Sequence, residues 1–164
     1  MPDMIVRLYD LPELSFKNEK FSTEGIDIRR AMAPDKSKVV QFVKDNFGDR
    51  WASECDVAFS NKPISCFIAV KGLIEIVGFA CYEATYRNFF GPTGVVADYR
   101  GRGIGKALLI NSLYGLKEMG YAYGVIGGAV DAAEFYRKTV DAMFIPKSDV
   151  GIYKDMLVLS TDGR

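Results

Sequence analysis

The amino-acid sequence predicts an α+β fold, with one mixed sheet flanked by helices. Three observations carry this: β-rich runs joined by tight turns, helical patterns set between them without strict strand-helix-strand repetition, and a glycine-rich passage leading from a strand directly into a helix. Met4–Tyr9 reads as a short strand, and a polar stretch with Pro12, Asn18 and Gly25 follows. Residues 1–25 are therefore set apart as an N-terminal extension, and residues 26–164 as the main domain. Ile26-Asp27-Ile28-Arg29 alternates as a strand does. Pro34-Asp35 opens a helix with Val39, Val40, Phe42, Val43 and Phe47 on one face, and Gly48 ends it. A second helix, Trp51–Phe59, runs to the turn Asn61-Lys62-Pro63. Ile64–Val70 and Leu73–Tyr82 form a hairpin about Lys71-Gly72. The run Phe89–Val96 is interrupted by Gly91, Pro92 and Gly94; proline brings no amide donor, so this strand is expected to be bulged or splayed from a neighbour. A long helix, Gly103–Met119, carries Leu108, Leu109, Leu113 and Leu116 and stops at Gly120. Tyr121–Ile126 reads as a strand, Asp131–Lys138 as a short helix and Ile152–Leu159 as a last strand.

A chain of 164 residues with 49% hydrophobic content suffices for one domain with a single substantial core. Its 21 basic and 21 acidic residues cancel, so no basic field holds a nucleic-acid backbone. No run approaches the roughly 18 apolar residues of a membrane span, and Met1–Arg7 lacks the apolar core of a signal peptide. The expectation is a cytoplasmic protein that binds neither nucleic acid nor membrane. Cys55, Cys66 and Cys81 show no C-x-x-C spacing and read as reduced thiols packed like small hydrophobes. Histidine is absent, which removes Ser-His-Asp and Cys-His chemistry, histidine metal sites and an imidazole base. Proton transfer must use carboxylate, tyrosine, water or backbone, and no metal is expected.

The passage Thr93-Gly94-Val95-Val96-Ala97-Asp98-Tyr99-Arg100-Gly101-Arg102-Gly103-Ile104-Gly105-Lys106 places a strand, a turn, three alternating glycines and a helix start in succession. Glycines let backbone amides approach a ligand, and the first amides of a helix are unpaired at its positive dipole end, an arrangement that suits a pyrophosphate. Arg100, Arg102 and Lys106 add positive charge around it. A Walker A loop, G-x-x-x-x-G-K-S/T, fails because Lys106 is followed by Ala107. A dinucleotide loop, G-x-G-x-x-G, is one residue short, and no acidic ribose partner stands about 20 residues on.

The spacing that fits is a valine four residues before Tyr99 followed by R-x-x-G-x-G. Here the chain resembles the GCN5-related N-acetyltransferase superfamily, whose central motif reads V-x-P-x-Y-R/Q-x-x-G-x-G/A. Val95, Tyr99, Arg100, Gly103 and Gly105 match, and Ala97 stands where proline is usual. Element order extends the resemblance from about Ile26 to Leu159. It implies two central strands splayed in a V with the pantetheine arm of acetyl-CoA between them. The backbone of Thr93, Gly94 and Val95 would pair with that arm, and the amides of Gly101, Arg102, Gly103, Ile104, Gly105 and Lys106 would hold the pyrophosphate. The acceptor would be a small-molecule or peptide amine, and a homodimer is an admissible assembly. Ala132-x-x-x-Tyr136 resembles the family's A-x-x-x-Y helix, which implies Tyr136 as the acid that protonates the leaving thiolate.

Three departures stand beside the match: Ala129 replaces a common asparagine, and Phe89 and Gly124 replace the glutamates that serve as base in some relatives. Of the remaining carboxylates, Glu83, Asp131 and Glu54, the preferred base is Glu83. A non-catalytic acyl-CoA-binding or sensor module is the rival reading, since it would need the loop without the base.

Overall fold

The computed structural model describes residues 1–14 and 24–157, and in it the β-rich runs form one seven-stranded mixed sheet. In chain order the strands are β1 (Met4–Arg7), β2 (Ile26–Arg30), β3 (Cys66–Lys71), β4 (Glu75–Tyr82), β5 (Phe89–Val95), β6 (Tyr123–Ile126) and β7 (Met143–Phe144). The helices are α1 (Lys36–Phe47), α2 (Asp49–Ala58), α3 (Ile104–Glu118) and α4 (Ala133–Val140). The spatial order is β2-β3-β4-β5-β6-β1-β7, and only β5 and β6 run parallel. This is the α+β mixed sheet expected from the sequence.

Each face of the sheet has its own helices. Ile104, Leu108, Leu109, Leu113 and Leu116 of α3 pack with Met4, Val6, Phe90 and Ile126, and α4 adds Ala133, Tyr136 and Val140. Burying a leucine fully contributes about 2 kcal/mol, so the stripe on α3 anchors this side. On the other face Val39 and Val43 of α1 and Ala52, Cys55 and Ala58 of α2 cover Ile68, Phe79 and Cys81. The three thiols meet there. Cys66 and Cys81 are direct cross-strand partners, Cys55 comes from α2, and the three sulfurs lie within 4.8 Å of one another in full burial. Hydrogen bonds from Cys66 and Cys81 hold the Cys55 thiol below its usual range, while burial raises Cys81.

Two elements differ from the expectation. Gly151–Asp155 is a 3₁₀ turn rather than the start of a strand over Ile152–Leu159, and residues 158–159 lie outside those described. The β3–β4 connection comprises Gly72, Leu73 and Ile74, because Lys71 already pairs with Glu75. The N-terminal segment enters the sheet: β1 lies between β6 and β7, with Met4 opposite both Ile126 and Phe144. Met4, Val6 and Leu8 are completely buried, so the segment set apart as an extension supplies an inner strand.

Gly115 in α3 marks a close approach of helix and sheet. A Cβ built there would lie 2.4 Å from Tyr82 Cζ. That ring stacks on Phe67, with centroids 6.3 Å apart, and its hydroxyl accepts from Arg30 Nη1 at 2.5 Å, so it has little freedom to retreat. In an unconstrained helix Gly→Ala gains about 1 kcal/mol. Gly115→Ala should instead destabilise by about 1–3 kcal/mol, the usual cost of overpacking. Urea denaturation decides the sign, and a more stable variant would contradict this packing.

Candidate functional site

β5 and β6 pair through two residues only, Phe89 with Val125 and Phe90 with Ile126. Beyond them the strands part. On its other side β5 pairs with β4 through Tyr82–Phe90 and Ala80–Thr93, so Gly91 and Pro92 place an extra residue in β5, the bulge expected from the interrupted run. The chain after Ile126 turns away through Gly127 and Gly128. The Val96 amide donates to the Val77 carbonyl at 3.0 Å, so by strand alternation Gly94 also faces β4 while the peptide groups of Thr93 and Val95 face the gap. Of the three sequence-assigned positions on β5, two therefore present their backbone to the opening. Gly94 meets another need: a Cβ there would lie 2.5 Å from Phe47 Cζ, so it gives room to the aromatic cluster of Phe42, Phe47, Trp51 and Phe79.

The glycine loop ends beside this edge. Gly101 and Gly103 have φ of 77° and 86°, left-handed values that glycine adopts without strain. Gly103 caps α3, and the first intrahelical bond runs from the Ala107 amide to the Gly103 carbonyl at 3.1 Å. The amides of Ile104, Gly105 and Lys106 are thus free at the positive end of a 15-residue helix. Gly105 has ordinary helical φ, and its Cβ position lies 3.8 Å from Val95 Cγ2, which sets the helix start against the end of β5. Arg100 Nε donates to the Val95 carbonyl at 2.9 Å, and the Arg102 guanidinium lies over the Tyr99 ring, 4.7 Å from its centroid. Lys106 is half-buried on the first turn.

Tyr136 sits where the gap closes. It is 6% exposed, and its ring meets Phe90 edge-on with centroids 6.3 Å apart. Burial pushes its phenol up to about 12, so it keeps its proton at neutral pH and can act as a donor. Glu83 is differently employed. One carboxylate oxygen accepts from the Tyr121 hydroxyl at 2.7 Å and the other from the Asn88 amide at 2.8 Å. Its own amide donates to the Phe89 carbonyl at 2.8 Å, so the side chain brackets the turn that leads into β5. Phe89 is buried, and Gly124 is packed beneath Leu116 and Leu8, so neither position brings an acid.

Sequence reasoning missed part of the opposite face of the sheet. Asp3, beside Gly127, is 6% exposed, and Tyr153 lies with its hydroxyl 2.6 Å from the Cβ position of Gly127. Glu54, one of the three candidate carboxylates, holds the Thr85 hydroxyl at 2.6 Å. No periodicity or motif marks Asp3 or Tyr153, because their proximity arises only from the pairing of β1 with β6. A surface depression of about 690 Å³ lies elsewhere: Arg29, Asp35, Val39, Phe42 and Ile76 line it, and no residue of the glycine loop, β5 or α4 does.

Residues 62–139 match the acetyltransferase (GNAT) domain, which takes in the gap, the glycine loop and Tyr136. No curated protein sequence matches the chain. Among solved structures, a GCN5-related glucosamine N-acetyltransferase region of a fungal multi-domain GH3 β-N-acetylglucosaminidase superposes with a TM-score of 0.68 at 17% identity, covering 88% of this chain and 19% of that one. A GCN5-related N-acetyltransferase from Sphaerobacter thermophilus gives 0.66 at 21% identity over 88% of this chain and 48% of that one. One from Kribbella flavida gives 0.58 at 16% over 87% and 53%. The chain thus spans about half or less of the length of each, and at these identities the likeness concerns the fold. Among the described residues no helix is long and apolar enough to cross a membrane. Residues 62–139 thus match the GNAT acetyltransferase domain, and the fold of the chain is that of GCN5-related N-acetyltransferases.

Proposed function

We propose that this protein transfers an acetyl group from acetyl-CoA to an amine by direct transfer in a ternary complex. The observation that carries this reading is the meeting of two unsatisfied sets of backbone groups in one surface, the gap-facing edge of β5 and the free amides that open α3. A ligand with amides along an extended arm and a diphosphate at its far end matches both. Ile104, Gly105 and Lys106, with Gly101, Arg102 and Gly103 leading in, would hold the diphosphate. Arg100, Arg102 and Lys106 would add positive charge, and Arg100 also fixes the end of β5 through Val95. Thr93 and Val95 would pair with the arm as an added strand does.

Acetyl-CoA, when bound, supplies an activated acyl thioester. The acceptor ammonium first gives one proton to water, and its nitrogen then forms the bond to the acyl carbon. As the carbon–sulfur bond breaks, Tyr136 gives its proton to the sulfur; the second nitrogen proton leaves to solvent, from which Tyr136 is reprotonated. We assign Glu83, both of whose oxygens are engaged, to positioning the turn before β5 rather than to proton abstraction. No step calls on a metal, and the three free thiols support a cytoplasmic setting. The absence of an acid at Phe89 and Gly124 favours the rival reading, an acyl-CoA sensor, which would bind the cofactor and release no thiol with any amine.

Acetyl-CoA should raise the melting temperature while ATP and NAD leave it unchanged. At a hundredfold excess over Kd the stabilisation is about 2.7 kcal/mol, or roughly 5 °C or more for a chain of this size. An equal response to NAD would contradict the assignment. Gly103→Val should abolish the shift, because a β-branched residue is strained at φ of 86° and would remake the helix start. Gly105→Ala, at ordinary φ with its nearest contact at 3.8 Å, should fold as stably as wild type. Wild-type binding by Gly103→Val would move the cofactor elsewhere.

Tyr136→Phe keeps the packing against Phe90 and removes the proton. Acetyl-CoA affinity should hold within a few-fold while kcat falls by about 10²–10⁴. Unchanged kcat would leave Tyr136 as a core residue.

A further inference from the structure

On the face of β5, β6 and β1 opposite α3, residues from distant parts of the chain converge beside the last paired residues of the gap. Met4 is opposite Ile126, which brings Asp3 next to Gly127. Asp3 is nine-tenths buried, and Oδ1 accepts from the Gly128 amide at 3.2 Å. Among the described residues Oδ2 has no donor and no cation pairs with the side chain; it points at Gly151, 3.2 Å from that residue's Cβ position. From the same turn Tyr153 sets its hydroxyl over Gly127, next to the edge of the Phe89 ring, and this hydroxyl too has no hydrogen-bond partner among the described residues. Glu54 lies within electrostatic reach of that hydroxyl. Oε1 is fixed by Thr85 at 2.6 Å, and Oε2 is without a partner among the described residues. Burial first, then the charges of Glu54 and Asp3, push the Tyr153 phenol up to about 12 against the opposing pull of Arg50. The charges of both carboxylates thus act on this hydroxyl.

A buried carboxylate is ordinarily paired with a cation or fully hydrogen-bonded, since its desolvation is otherwise uncompensated. Among the described residues no unpartnered side-chain oxygen is sealed from solvent, so Asp3 Oδ2 is open to a ligand at the point where the sheet opens. We propose that this is the acceptor site, and that it takes the amine as an ammonium ion held by Asp3 Oδ2 and Glu54 beneath Tyr153, with Phe89 as an aromatic wall. The inference rests on the acetyl-transfer reading and names its substrate class. Gly127 follows Ile126, whose partner Phe90 packs against Tyr136 on the other face, so the acceptor nitrogen and the leaving sulfur meet across the end of the gap. Asp3, Glu54 and Tyr153 all lie outside residues 62–139, so the selectivity belongs to this chain and not to the matched domain. It also turns away acceptors carrying a carboxylate next to the amine, which the two anions repel.

The test uses the full chain, with acetyl-CoA affinity measured by calorimetry and transfer followed by thiol release. Acceptor probes are 2-phenylethylamine, 1,4-diaminobutane and L-glutamate. The expected result is turnover of the two cationic amines with at least tenfold preference over glutamate. Asp3→Asn and Glu54→Gln should each raise the amine KM about tenfold or more, as loss of a charged hydrogen-bond partner does, with kcat within a few-fold and acetyl-CoA affinity unchanged. Unaltered affinity shows that the variants are folded. Equal use of glutamate, an unchanged amine KM in both variants, or no thiol release with either cationic amine from protein that binds acetyl-CoA overturns the proposal. Failure to bind acetyl-CoA overturns the acetyl-transfer reading itself, and this assignment with it.

Discussion

Beyond Phe90, the gap-facing edge of β5 has no strand to pair with, and the site is organised around that unmet hydrogen bonding. Backbone donors and acceptors left inside a protein are costly, so an open edge persists only where something holds its neighbours apart and something else can satisfy it. Three features hold it open. The extra residue at Gly91-Pro92 bends β5 out of register with β4, Gly127 and Gly128 carry the chain away from β6, and the Phe90–Tyr136 contact fills the apex where the two strands separate. Arg100 satisfies one exposed acceptor, the Val95 carbonyl, and thereby ties the edge to the glycine loop. Reclosing the sheet would require undoing the bulge and the α4 packing together.

The opening also connects two chemically unlike faces. On the α3 side lie free amides and a helix dipole, which favour an anion. On the other side lie Asp3, Glu54 and the phenol of Tyr153, which favour a cation. An anionic donor and a cationic acceptor approaching from opposite faces would not compete for one subsite, and both lead to the apex at Phe90 and Ile126. The aromatic cluster around Phe47 packs the two helices of the second core against the sheet, and it depends on the bare backbone of Gly94.

Much of this was legible where the signal is local. The motif around Gly103, the interruption at Gly91-Pro92 and the leucine stripe of α3 each reflect the chemistry of neighbouring residues, and the strand, loop and helix they predict are present. What could not be read depends on pairing across the chain. Met4–Arg7 is too short to reveal its partner, which lies at residues 123–126, so the inner position of β1 and the arrival of Asp3 at the gap have no sequence signature. Ile152–Leu159 has strand-like composition, but with β1 already against β6, Gly151–Asp155 folds as a turn over that face. The hydrogen bonds that Glu83 accepts from Tyr121 and Asn88 are likewise a contact set that spacing does not disclose.

The central claim is that the edge of β5 and the first amides of α3 form one binding surface. Residue-resolved amide NMR on the isotope-labelled chain tests it directly, by titration with coenzyme A. The account predicts that the amides of Ile104, Gly105 and Lys106 and those of Thr93 and Val95 shift together with a single apparent affinity, while β2 and β3 stay unchanged. Shifts concentrated around Arg29, Asp35 and Phe42, or movement of the α3 amides with none on β5, would contradict it.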